Sequence, residues 1–278
     1  MTSFPLDTPR IALIGGGNVA RSLVGGLVAL GVPASSLAVS GPNAERRAAF
    51  VRDFGVHAHA DNIKTARTAD VWVLAVKPQV LRSVCEELAE QAYTQRPLIV
   101  SVAAGITTAQ VERWLGIDIA IVRAMPNTPA LLGASATALC ANQHASSLQC
   151  AQAQRLFEAV GTAVWIDDET LMDTVTATSG SGPAYVFALV EAMQAAAQSQ
   201  GLPEDIARAL IAQTILGAGR MLIESGEDAA TLRQRVTSPG GVTAEALKRF
   251  AAGGFRALIA EGIAAATSRG AELSAAND

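Results

Sequence analysis

Ile11-Ala12-Leu13-Ile14-Gly15-Gly16-Gly17-Asn18-Val19-Ala20 is the stretch that decides the fold. Four apolar residues read as a short buried strand and run straight into a G-x-G-x-x-A turn. Leu23, Val24 and Leu27 follow at helical spacing. In a strand–turn–helix of this kind, Gly15 permits the tight turn, Gly17 lets backbone N–H groups approach a pyrophosphate, and Ala20 keeps the helix close to the strand. The helix amino terminus then attracts the phosphates. Glycine turns also serve geometry alone, but this one opens a series of βαβ units, which favours dinucleotide binding.

Working outward, five more short apolar runs alternate with helical stretches. They are Leu37-Ala38-Val39, Val71 to Val76, Leu98 to Val102, Ile119 to Arg123 and Thr162 to Ile166. Most are continuously apolar, as strands buried on both faces are. The reading is a Rossmann-type, doubly wound parallel α/β sheet over residues 10–168, after an N-terminal tail at 1–9. Beyond Asp167-Asp168-Glu169 the strand pattern stops. Val186, Leu189, Val190 and Met193, then Ile206, Leu210, Ile211, Ile215 and Leu222, repeat with helical period. Gly182-Pro183 opens the first helix, and Gly201 and Pro203 separate it from the second. Residues 169–278 therefore read as an all-helical domain for substrate binding and dimerisation. Its helices are apolar on more than one face, so at least one is expected to be buried on several sides, between subunits.

Composition supports an oligomer and excludes several classes. Of 278 residues, 50% are hydrophobic and 17% charged, with a mean hydropathy of +0.30, less charge than an average soluble domain carries. Burying an apolar helical face against a second subunit explains so sparse a charged surface. A net charge of −4 offers no cationic excess for a phosphate backbone, so nucleic acid is not expected as a partner. Met1 to Arg10 holds no apolar signal-like core and no uninterrupted apolar run approaches membrane-span length, so the expectation is a cytoplasmic protein without membrane attachment. Cys85, Cys140 and Cys150 are odd in number and form no C-x-x-C, so reduced thiols are expected. His57 and His59 would share one side of a short strand, with no third ligand at metal-site spacing, and no metal is expected.

Three strand ends and two glycine clusters carry the candidate site. Ser40-Gly41-Pro42-Asn43 closes the second run without the carboxylate that usually holds an NAD ribose, and Arg46 and Arg47 follow; this favours NADPH, with NADH possible. Ala75-Val76-Lys77-Pro78 and Ala103-Ala104-Gly105 close the third and fourth long strands and should line the nicotinamide crevice; Lys77 reads equally as a phosphate ligand or a cap. Thr178 to Tyr185 and Thr237-Ser238-Pro239-Gly240-Gly241-Val242-Thr243 interrupt the helical half, the second leading into a helix from Ala244. A glycine turn at a helix start exposes N–H donors to a small carboxylate, though such turns also simply join helices. Thr243 could be an N-cap, a substrate hydrogen-bond donor, or both.

At these residues the chain resembles the pyrroline-5-carboxylate reductase family, from Ile11 to about Arg269. The resemblance rests on Ile14-Gly15-Gly16-Gly17-Asn18, Ala75-Val76-Lys77-Pro78, Met125-Pro126-Asn127-Thr128-Pro129, Ser179 to Tyr185 and Thr237 to Thr243. It implies an NADPH site at Ile14 to Val19, Asn62, Val76, Lys77 and Ala104, joined by Ser40, Ala75 and Pro78 from the strand ends. It implies a substrate loop of Ser238, Gly240, Gly241, Val242 and Thr243, with Thr243 catalytic, and an interlocked helical homodimer that can assemble further. Val19 stands where the family often has Met, and Val242 where it has Thr or Ala. The implied reaction is NAD(P)H-dependent reduction of 1-pyrroline-5-carboxylate to L-proline, the last step of proline synthesis.

Two other readings stand beside it. A reductase of another cyclic imine or of a hydroxy acid would share the plan, but β-hydroxyacid dehydrogenases use a lysine in the helical half, and no lysine lies between Lys77 and Lys248. A non-catalytic NADPH-binding regulator would be expected to lose the Thr237–Thr243 loop, which is present.

Overall fold

A computed structural model describes residues 9–276, so most of the expected tail at 1–9 lies outside the described residues. Eight strands form one sheet: β1 (Ile11–Ile14), β2 (Leu37–Ser40), β3 (His57–His59), β4 (Val71–Leu74), β5 (Leu98–Ser101), β6 (Ile121–Met125), β7 (Ser135–Ala141) and β8 (Gly161–Trp165). The order is β3-β2-β1-β4-β5-β6-β7-β8, and every neighbouring pair is parallel except β6 with β7. From β1 the chain winds outward through β2 and β3, then returns to β4 on the other side. That reversal creates the crevice at the carboxyl ends of β1 and β4 where ligands of open α/β sheets bind.

Period-two alternation sorts the strand side chains onto two cores. Ile11, Leu13, Val71, Val73, Leu98 and Val100 face α1 (Asn18–Ala29), α2 (Ala44–Phe54) and α6 (Ser147–Glu158), where Leu23, Leu27, Phe50 and Phe157 complete the cluster. Ala12, Ile14, Trp72, Leu74 and Ile99 face α3 (Asn62–Ala66), α4 (Pro78–Gln95) and α5 (Thr108–Leu115), which contribute Leu81, Leu88, Val111 and Trp114. Each fully buried Leu, Ile or Phe side chain contributes about 1.5–3 kcal/mol.

β7 is absent from the runs read as strands, and β3, the short strand expected to carry His57 and His59, lies outside the six apolar runs. β3 is a three-residue edge strand. β7, Ser-Ala-Thr-Ala-Leu-Cys-Ala, is nearly all buried yet lacks the β-branched run that marks its neighbours. Its direction follows from chain length. A short 3₁₀ turn, Thr128–Leu132, joins it to β6, and parallel strands need a crossover of a dozen residues or more. The reversal is therefore antiparallel, and α6 supplies the crossover to β8.

The helical half contains α7 (Met172–Val175), one π-helical turn at Thr176–Gly180, α8 (Gly182–Ser199), α9 (Glu204–Glu224), α10 (Ala229–Arg235), α11 (Val242–Ala252) and α12 (Phe255–Ala275). The chain separates into two compact units, the first running to Ser181 and resuming at Ala265, the second Gly182–Ala264. In the first unit, buried Arg123 lies 3.0 Å from the Glu169 carboxylate, which also accepts from the Thr108 N–H and hydroxyl at 2.8 and 2.6 Å. These bonds fix the chain leaving the sheet to β6 and α5.

In the second unit α8 packs on α9, but α8 and α11 bury no residue within the chain and α9 buries only Ala207 and Ile211. Within the single chain these helices, whose burial is expected between subunits, present Phe187, Leu210, Leu216 and Ile223. One chain supplies too few elements to cover both sides of a helical hairpin. By length and composition alone α9, with a mean hydropathy of 1.4, could cross a membrane. No uninterrupted apolar run marks it in the sequence, because Arg208, Gln213 and Arg220 interrupt its apolar residues.

Candidate active site

β1 ends in Gly15, whose φ of +113° only glycine adopts readily. A Cβ there would lie 2.5 Å from the Ala75 carbonyl oxygen and 3.0 Å from Val76. The turn thus presses the first glycine against the β4 exit. Gly17 is the N-cap of α1, no side chain caps it, and no acidic residue sits in the first turn. The result is a bare, positively polarised helix end beside a cradle that a single methyl group would fill. A dinucleotide pyrophosphate fits this donor set, with Asn18 exposed and Gly16, Gly17 and Val19 half-buried around it.

The neighbouring strand ends complete the rim. Lys77 is exposed as the N-cap residue of α4, with Pro78 in the first turn, and its side chain makes no capping bond. Ala104 is exposed after β5, while Ala75 and Val76 are half-buried. Ser40, at the end of β2, is fully buried and donates its hydroxyl to Asn62 Oδ1 at 2.7 Å. Asn62 opens α3 and donates through Nδ2 to the Glu87 carboxylate at 2.8 Å. Arg47 braces the loop after β2, donating to the carbonyls of Gly41 and Pro42 at 2.6 and 2.8 Å. Arg46 is exposed.

Two features of this rim were not read as site residues from the sequence. Glu87 reaches Asn62 from a different element, 25 positions on, and no local pattern signals that. Asn127, at the β6 exit, accepts on Oδ1 from Ala136 N–H (3.0 Å) and Ser135 (3.2 Å) and donates Nδ2 to the Ser179 carbonyl (3.0 Å). It ties the strand end to the π turn, where a Cβ on Gly180 would lie 2.7 Å from Met125. π turns occur preferentially at functional sites.

The Thr237–Thr243 loop, expected to bind substrate, belongs to the second unit. Gly240 has φ +69°, Gly241 N–H bonds the Ser238 carbonyl at 3.0 Å, and α11 begins at Val242. The helix therefore starts two residues before Ala244, where the sequence places it. Gly241 is its N-cap, with no side-chain capping bond. Thr243 is accordingly not the cap, and its hydroxyl is not spent on the helix end. Val242 is 90% exposed, Ser238 and Gly240 are exposed, and Thr243 is half-buried.

Elsewhere the chemistry is quiet. Burial pushes the Cys85 thiol up to about 12 and raises Cys140 and Cys150 as well, so all three are poor nucleophiles. Among the described residues the possible metal ligands that cluster are not the β3 histidines but Glu112, Asp118 and His144, with His144 Nε2 3.1 Å from Glu112.

The glycine turn at the switch point of a doubly wound sheet, followed by a helical half, defines the first unit as the pyridine-nucleotide domain of an oxidoreductase. The comparisons agree. Residues 10–105 match a family model described as NADP oxidoreductase, coenzyme F420-dependent, and residues 169–273 match one described as pyrroline-5-carboxylate reductase dimerisation. A pyrroline-5-carboxylate reductase of Pseudomonas aeruginosa is 50% identical over 268 residues, 96% of this chain and 98% of that protein. The structure of one from Coxiella burnetii is 43% identical and superposes with a TM-score of 0.93, covering 96% of this chain and 99% of that one. A Plasmodium falciparum pyrroline carboxylate reductase with NADP bound is 26% identical, with a TM-score of 0.85 over 97% of this chain and all of that one. This chain belongs to the pyrroline-5-carboxylate reductase family.

Proposed function

We propose that the chain reduces 1-pyrroline-5-carboxylate to L-proline, using NADPH in preference to NADH. Family membership over nearly the whole chain supports this reading, and one feature carries its chemistry: the uncapped start of α11, with the Thr243 hydroxyl left out of the cap. When bound, the reduced nicotinamide supplies a hydride to the imine carbon C5. The chain's own task is to bind, orient and hold a proton. The amides of Gly240, Val242 and Thr243 hold the substrate carboxylate, while Gly241, whose N–H bonds the Ser238 carbonyl, sets the turn that presents them. The Thr243 hydroxyl contacts the ring nitrogen directly or through water, so that the nitrogen is protonated as C5 becomes more electrophilic. Orientation of the bound imine then accounts for most of the rate.

On the cofactor side, Ile14 to Val19 hold the pyrophosphate and Ala75 to Pro78 with Ala104 line the crevice, with Lys77 as a phosphate ligand. Ser40 acts through Asn62 at the adenosine ribose. The cationic Arg46 and Arg47 support NADPH. Residues 10–168 act as the dinucleotide-binding domain and 169–278 as the helical substrate domain, paired in a cytoplasmic homodimer whose apolar helix faces cover one another.

Replacing Thr243 with Ala tests the reading. One hydrogen bond to a charged group is worth about 1.5–3 kcal/mol, so kcat/KM for the imine should fall roughly ten- to a hundredfold while the cofactor Kd stays constant. An unchanged kcat/KM removes Thr243 from the reaction.

A further inference from the structure

Glu87 puts a negative charge where the local sequence shows none. The β2 exit, Ser40-Gly41-Pro42-Asn43, lacks the acidic residue that discriminates against a 2′-phosphate. In three dimensions α4 supplies one: the Glu87 carboxylate is 2.8 Å from Asn62 Nδ2, and Asn62 Oδ1 is 2.7 Å from the Ser40 hydroxyl. Both Ser40 and Asn62 sit at carboxyl ends of the sheet, at β2 and just after β3, the side on which the ribose of a dinucleotide lies. An ionised carboxylate only accepts, so it compels Asn62 to present its amide N–H to Glu87 and its oxygen to Ser40. One N–H of Asn62 is left for the cofactor, and a full negative charge stands directly behind it.

We propose that Glu87 is a selectivity-determining residue, which fixes the Asn62 amide and penalises a 2′-phosphate relative to a 2′-hydroxyl, thereby keeping NADH usable. The proposal rests on the dinucleotide reading of the β1 turn. A carboxylate and a phosphate of nearly two charges, within a Debye length of one another in water, repel enough to change affinity severalfold. The opposing charges of Arg46 and Arg47 act on the same phosphate, so Glu87 sets the ratio of cofactor use and not its absolute direction.

The test is the ratio of kcat/KM for NADPH to that for NADH in Glu87→Gln, which removes the charge and retains an acceptor. The ratio should rise about three- to tenfold at low ionic strength, and the rise should shrink in high salt. Glu87→Asp should keep the original ratio. Glu87→Ala, which also frees Asn62, should raise both KM values while still raising the ratio. A ratio unchanged in both Glu87→Gln and Glu87→Ala, or a rise that salt leaves intact, overturns the proposal while leaving the dinucleotide site standing. Failure of the unsubstituted protein to bind either cofactor overturns both together.

Discussion

Gly15 and Gly31 separate two reasons for a glycine. Both have positive φ, +113° and +87°, but a Cβ at Gly31 meets nothing within 4 Å, whereas at Gly15 it meets the Ala75 backbone at 2.5 Å. Gly31→Ala carries only the conformational cost. Gly15→Ala must also push the turn away from β4, and with it the amides that start α1. Local strain of about 1–3 kcal/mol, relieved by moving the turn, implies roughly ten- to a hundredfold weaker NADPH binding. Fluorescence titration of the two variants should show that loss for Gly15→Ala and a near-normal Kd for Gly31→Ala. Equal affinities would mean that the turn does not carry the cofactor.

Among the elements, the β6 exit and the π turn stand or fall together. Asn127 provides both acceptor and donor for this junction, so Asn127→Ala removes three hydrogen bonds and leaves the Ser179 carbonyl without that donor. At about 1 kcal/mol each, the loss is roughly 3 kcal/mol, or a Tm lower by about 6–12 °C in a chain of this size. Calorimetry should find that drop; a shift under about 2 °C would show that the two segments hold independently. Elements of this kind were legible to different degrees. The β1 turn declares itself because its glycines, strand and helix are contiguous. β7 does not, because its buried positions mix Ser, Thr, Ala, Leu and Cys without an apolar β-branched run, and its pairing is set by a short turn. α11 starts before Ala244 because Gly240 and Gly241 form the turn and Gly241, rather than Thr243, takes the cap position. The Ser40–Asn62–Glu87 line is invisible in the sequence, since its members lie on three elements and nothing local joins them.

For the whole molecule, sparse charge and helices apolar on several faces have one physical meaning. A single chain leaves Phe187, Leu210, Leu216, Ile223 and Leu258 in water, more large apolar side chains on one helical unit than singly scattered surface residues account for. The match of residues 169–273 to a dimerisation family is consistent with a homo-oligomer built through this half. The fold class and its two-part organisation could be read from period alone; the multi-face apolar pattern of the helices points to burial outside one chain, but not to which residues meet there. The account as a whole requires that a nicotinamide at the β1 turn and a ring acid held at α11 react with one another. The most direct measurement is oxidation of NADPH, run beside NADH, in the presence of 1-pyrroline-5-carboxylate, with proline quantified. One proline formed per cofactor oxidised, faster with NADPH, is the predicted result; tight cofactor binding with no imine-dependent oxidation would contradict it.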